Sequence, residues 1–216
     1  MKGTYLSRSE LLQAQLALFV AIALQVVVWQ INHKVFSNFQ YVVIITELAL
    51  ALLLLFTSGI RDPRSRTLQH TTATVLIGLV TVANFASLAV VIYALIDGQI
   101  ASGTALLGSA IAIFITNIIV FALWYWEIDS PGLTNRRWTK SDKDFQFTQQ
   151  NMPGEFPNWK PKFADYLFIS VINSLNGATT SAHPLTGHAK MLMAAQAIIS
   201  ILTLALVVAR SVGILG

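Results

Sequence analysis

Three polar side chains lie deep inside apolar runs, and their types define the chemistry open to this chain. Glu47 sits within the run Tyr41 to Gly59, and Asn84 and Asn117 lie near the centres of two others. A carboxyl inside a membrane segment costs about 2.5–3.5 kcal/mol on insertion scales, so it must face other helices, stay protonated or meet a cation. Glu47 is therefore either a proton or cation site, or a hydrogen-bonded carboxyl that ties helices together. Asn84 and Asn117 either bond to neighbouring helices at about 0.6–2 kcal/mol each or line a polar path. A fourth group is Asn173, Asn176, Thr179 and Thr180, within the stretch Phe163 to Thr186, which is too polar for lipid and too apolar for a loop. Asn173 and Asn176 are spaced to share one helix face, so they line a path or pair with Asn117.

Other chemistries find little support. The chain has no cysteine, which removes disulfides, thiolate metal sites and thiol nucleophiles. His183 and His188 are five apart without a neighbouring acid or thiol, so no metal site is expected and no cofactor is implied. Neither a nucleophile elbow nor H-E-x-x-H occurs, so the reading is non-enzymatic. A sequence pI of 9.5 comes without a basic face or an aromatic binding motif, which argues against nucleic acid.

The elements that hold these residues are membrane helices. Of 216 residues 55% are hydrophobic and only 11% charged, against about a quarter charged in soluble domains. Apolar runs cover Leu11–Ile31, Tyr41–Gly59, Thr71–Ile96, Thr104–Trp126 and Ala189–Val212, each long enough to span a bilayer. Ser7 and Glu10 have capping-box spacing before the first run, and Pro63 should break any helix in the second link. Trp29 and the cluster Trp124-Tyr125-Trp126 suit an interfacial aromatic belt. The hydrophilic stretch Glu127 to Lys162 carries four prolines and should be largely irregular, with Met152, Phe156 and Trp159 dipping into the interface. Its basic residues Arg136, Arg137, Lys140 and Lys143 are candidates for binding a partner or anionic lipid. The chain divides into a four-helix region at 1–126, a basic loop at 127–162 and a final unit at 163–216.

Charge sets the orientation of the first four spans. Lys2, Arg8, Arg61, Arg64, Arg66, Arg136, Arg137, Lys140, Lys143, Lys160 and Lys162, eleven of the fourteen Lys and Arg, fall in segments that share one side. That side is the cytoplasm, and the N-terminus is on it. The rule then runs out, because a crossing or a return at 165–183 leaves the same number of cations inside. Asp165 is placed to cap a half-helix, DYLFISVI, followed by a polar turn and Pro184. Irregular backbone at membrane depth must be buried in protein or face water, so the layout is that of a broken or re-entrant segment.

Asp165, Leu167, Ser170, the polar turn, Pro184, Thr186 and the long helix beyond resemble the pore loop and inner helix of potassium channels. That superfamily's T-T-V-G-Y-G-D filter is replaced here by Leu175-Asn176-Gly177-Ala178-Thr179-Thr180-Ser181. The resemblance thus implies a pore-loop layout without potassium selectivity. The potassium-channel loop enters from outside, whereas charge places this one inside, an inverted arrangement like that of glutamate-receptor pores. A wider resemblance rests on Ile115-Thr116-Asn117, Phe121 to Glu127, Trp159 to Leu167, and Pro184-Leu185-Thr186 with Ala189 to Met193. These blocks look like a family of bacterial inner-membrane proteins of unassigned activity. The chain keeps that family's Ser170, Asn173, Thr180 and Pro184, and has Ser181 where an acidic residue is usual. The resemblance implies a multi-pass inner-membrane protein.

The expectation is an all-α polytopic protein with five spans and a sixth, broken or re-entrant segment. Its leading function is channel-like or permease-like passage of an ion or small solute along Asn173, Asn176, Thr179 and Thr180, facing Glu47, Asn84 and Asn117, in a homo-oligomer. The alternative is a non-conducting scaffold or sensor that binds through the 127–162 loop.

Overall fold

In hydrocarbon a backbone amide has no partner except another amide, so each long apolar run closes into a helix. The computed structural model describes residues 8–33, 39–57, 63–97, 103–129, 143–157, 159–175 and 182–215. The helices are α1 (Arg8–Ile31), α2 (Phe39–Thr57), α3 (Pro63–Ile96), α4 (Gly103–Asp129), α5 (Phe163–Leu175) and α6 (Gly187–Leu215). Two short strands, β1 (Phe145–Phe147) and β2 (Ala182–Pro184), pair antiparallel with Gln146 opposite His183. Five helices are long and apolar enough to cross a membrane, and α5 is not. The chain is a polytopic membrane protein of the all-α class.

Pro63 does not break a helix; it starts one. At the first helical position its missing N–H is one that would go unbonded anyway, and its fixed φ suits the turn. Ser7 lies outside the described residues. Asp165 acts from inside α5 rather than ahead of it: its carboxylate accepts the backbone N–H of Lys162 at 2.7 Å, the return half of a capping box.

α4 is the axis of the bundle. Two-thirds of its spanning window (67%) is buried, against 17% for α2, which faces outward. At one end of the bundle the Asn32 amide, just beyond α1, donates to the Ser109 hydroxyl of α4 at 2.8 Å. Trp29 of α1 packs edge-on against Tyr41 of α2, with ring centroids 4.3 Å apart. At mid-depth the Gln25 amide donates to the Val80 carbonyl of α3 at 3.1 Å. The Gln69 amide of α3 donates to the Thr57 carbonyl at the end of α2. α1 and α3 therefore run in one direction, and α2 and α4 in the other.

α5 decides the topology of the last third. Its 13 residues extend about 20 Å, short of the roughly 30 Å hydrocarbon core. It starts beside the end of α4, where Phe163 packs edge-on against Trp126 with ring centroids 5.3 Å apart and the Tyr166 hydroxyl donates to Asp129 at 2.6 Å. β2 returns to the same end, paired with β1. From there α6 runs back antiparallel to α4, since Asn117 meets Ser200 and Tyr125 meets Gln196. The segment is re-entrant, and α1 and α6 begin at the same end of the bundle.

Two expectations from the loop and belt need correction. Glu127 and Asp129 belong to α4 and are buried, as are Phe145 and Phe147 of β1, so 127–162 is not one solvated loop. The Phe-Gln-Phe alternation presents both rings to one side, where they pack on Tyr125 and Tyr166 and Phe147 also meets Trp159. Met152 and Phe156 are exposed. Tyr125 and Trp126 form no lipid-facing belt; both are fully buried, and the Trp124 indole donates to the Thr81 hydroxyl of α3 at 2.9 Å.

Candidate functional site

Glu47 projects from the most outward-facing helix into the bundle. Its neighbours Ile45, Leu48 and Leu52 are exposed, while Glu47 itself is 0% exposed. Neither carboxyl oxygen has a hydrogen-bond partner among the described residues. Measured from the Trp29–Tyr41 contact, Glu47 lies six residues along α2 and Gln25 four residues back along antiparallel α1. At 1.5 Å per residue the two share a depth to within about 3 Å. The side-chain oxygen of Gln25 is also buried without a partner among the described residues.

The re-entrant helix is held by a different arrangement, a closed polar network. Gln196 of α6 is its hub. The Gln196 oxygen accepts the Tyr125 hydroxyl at 2.5 Å and the Asn173 amide at 2.9 Å. Its amide donates to the hydroxyls of Ser170 at 2.6 Å and Ser174 at 2.7 Å. Asn173 also reaches the Met193 carbonyl at 2.9 Å, and Ser170 donates to the Ile118 carbonyl at 2.6 Å. Asn173 is thus packed among α4, α5 and α6. Asn117 lies deeper along α4 and pairs with Ser200 at 2.9 Å rather than with Asn173; its side-chain oxygen is buried without a partner among the described residues. Asn84 is buried in α3. Asn176, Thr179 and Thr180 lie outside the described residues.

At the end of the bundle where α4 stops and α6 starts, Asp129 fastens the strands. One carboxylate oxygen accepts the backbone N–H groups of Asp144 at 2.6 Å and Phe145 at 2.9 Å, and the other accepts Tyr166. Asp144 in turn binds the Leu185 N–H at 2.8 Å and the Thr186 hydroxyl, and Thr186 caps α6 through the Ala189 N–H. Beside this fastening lies an open cavity of about 340 Å³. It is lined by His70 and Thr74 of α3, Trp124, Glu127 and Ile128 of α4, then Asp144 and His188. His70 Nδ1 is 3.0 Å from Glu127 Oε1.

Among the described residues no group of three His, Cys, Asp or Glu could hold a metal ion; His183 is exposed on β2, while His188 lines the cavity. Arg136, Arg137 and Lys140 lie outside the described residues, and the Lys143 ammonium donates to Gln150 at 3.2 Å. Sequence reasoning missed Gln196, Gln25, Asp129 and the cavity. The two glutamines were open to the argument used for Asn84 and Asn117, being amides within apolar runs. Nothing local marks Asp129 or the cavity, because their partners come from distant segments. Five spans and one re-entrant half-helix define a multi-pass membrane protein. No family model, curated protein or solved structure matches the chain.

Proposed function

We propose that this chain is a permease-like protein of the bacterial inner membrane, with its N-terminus in the cytoplasm, which passes a proton, small cation or cation-coupled solute. The observation that carries the reading is Glu47: fully buried in a spanning helix, with neither oxygen bonded to any of the described residues. A carboxyl that ties helices together needs a hydrogen-bond partner, and an apolar side chain there would pack at no electrostatic cost. A carboxyl that takes up and releases a charge needs the opposite, a place where a proton or ion is the missing partner. The Gln25 oxygen, at the same depth and without a partner among the described residues, adds a neutral ligand. Asn84 and Asn117 are further inward-facing polar groups on α3 and α4, and the Asn117 oxygen, without a partner among the described residues, extends the set into the central helix. In this reading the network around Asn173 holds the re-entrant half-helix against α4 and α6, beside the route.

The test is flux in proteoliposomes, with an internal pH dye for protons and tracer uptake for monovalent cations. Glu47→Gln keeps the shape and removes the charge. At least a tenfold fall in flux is expected, with the elution profile of the purified protein unchanged. Equal flux from the two proteins would refute the assignment.

A further inference from the structure

Glu47 and Gln25 converge on one seam of the bundle, and the atoms they present there select among cations. Resting on the transport reading above, we infer that the ion Glu47 takes up is a proton, held in a hydrogen bond from its carboxyl to the Gln25 side-chain oxygen.

Two registers place the pair at one level. The Trp29–Tyr41 contact gives Glu47 and Gln25 a shared depth. A second count starts at the other end of α2, where the Gln69 amide meets the Thr57 carbonyl. Glu47 lies ten residues back from Thr57, and Val80 eleven residues on from Gln69, so their depths agree to within about 2 Å. Val80 is the residue whose carbonyl accepts the Gln25 amide. The direction agrees as well. Among the described residues of α2 the buried ones are Glu47, Ala51 and Leu54, a single stripe at helical spacing, and α2 packs on α1 and α3. Glu47 therefore enters the seam at the level where Gln25 bridges α1 to α3.

What the seam offers is acceptors. With its amide on the Val80 carbonyl, Gln25 presents an oxygen; an ionised Glu47 has two oxygens and no donor. All three oxygens are buried without a partner among the described residues. One proton turns a Glu47 oxygen into a donor, and a single O–H to Gln25 then gives two of the three a partner. A hard metal ion such as Mg²⁺ or Ca²⁺ takes about six or more oxygens, and a monovalent ion must have its hydration shell replaced. Glu47 is 0% exposed, which leaves no opening for an ion of that size, whereas a proton needs none. Among the described residues the nearest other titratable groups on α1, α2 and α3 are Glu10, Tyr41, His70 and Tyr93. Each lies six or more residues from that level along its helix, so none competes for the proton. Uptake forms one O–H bond at Glu47 with a proton from water on one side of the membrane, and release returns it to water on the other.

Infrared difference spectroscopy of the full chain in proteoliposomes reads the bond, and flux reads the cargo. A pH titration should bring up a protonated-carboxyl C=O band that is absent from Glu47→Gln. Its midpoint should be the same in sodium, potassium and N-methylglucamine chloride. In Gln25→Met, which keeps the volume and loses the acceptor, the band should move to higher frequency; an unaltered elution profile checks its fold. Dye-loaded vesicles under a pH gradient, with N-methylglucamine thiocyanate as the only salt, should take up protons while the permeant anion carries the balancing charge. Uptake should be at least tenfold slower in Glu47→Gln and at least threefold slower in Gln25→Met. A midpoint that moves with sodium or potassium, or a band that Gln25→Met leaves in place, would overturn the inference. The midpoint comparison needs only the wild-type chain. Glu47-dependent flux of tracer sodium or rubidium without proton flux would also overturn it and leave the transport reading standing. No flux of any of these ions would remove both.

Discussion

Removing the Asp129 carboxylate should release the strands that hold the re-entrant segment at the bundle end. In Asp129→Ala three donors lose their acceptor together: the N–H groups of Asp144 and Phe145 and the Tyr166 hydroxyl, now at 2.6, 2.9 and 2.6 Å. An orphaned buried donor costs about 1–3 kcal/mol, and partial rewetting of the opened site keeps the total near 3–5 kcal/mol. Tyr166→Phe removes one donor and leaves the other two bonded, so about 1–2 kcal/mol is expected. At about 1.4 kcal/mol per factor of ten, strand opening should rise roughly 10²–10⁴-fold in the first variant and about tenfold in the second. The natural chain has no cysteine, so an introduced thiol reports without background. Ala182→Cys is suitable, because Ala182 on β2 is 0% exposed. Its maleimide labelling should be slow alone, about ten times faster with Tyr166→Phe and a hundred times faster or more with Asp129→Ala. If Ala182→Cys labels at the same rate in all three backgrounds, Asp129 does not hold the strands and the reasoning fails.

The remaining predictions concern sidedness and the network. A reporter fused after Gly216 should lie on the membrane face opposite one inserted near Glu155, because the chain re-enters at α5 and crosses only once more. Finding both on one face would mean that 163–186 crosses the membrane. Gln196→Leu removes the hub of four side-chain hydrogen bonds. At about 0.6 kcal/mol for an average intramembrane bond, the loss should be about 2–3 kcal/mol in reversible detergent unfolding. A variant as stable as the wild type would show that α5 is held by apolar packing alone.

The five spans were legible because apolar length is a sum over many residues, and no single error moves it far. Their ends were less so. α3 starts at Pro63, eight residues before the apolar run expected at Thr71, because a helix continues past the lipid wherever its N-terminal geometry allows. The re-entrant segment was half legible: its mixed polarity marked it, but charge balanced equally for crossing and return. What decided it was pairing between β1 and β2 and the reach of Tyr166 to Asp129, contacts 37 residues apart in sequence. Periodicity cannot see such contacts. Phe145-Gln146-Phe147 carries the two-residue alternation of a strand, but three residues inside a Pro-containing polar stretch are too short a run for that alternation to stand out. Among candidate residues, Glu47 was recognisable from its position alone, whereas its lack of a partner among the described residues is visible only in three dimensions.

The re-entrant helix also has a history that the finished fold conceals. Tyr125 and the Ile118 carbonyl are synthesised before α5, but Gln196, Met193 and β2 come after it. When α5 first leaves the ribosome, Asn173 and Ser174 lack the acceptor and donor that will satisfy them, and the helix is too short to span the bilayer. It must wait in water, at the headgroups or within the insertion machinery until α6 has been made. The last span thus does more than cross the membrane: its arrival is the event that commits the half-helix to its place.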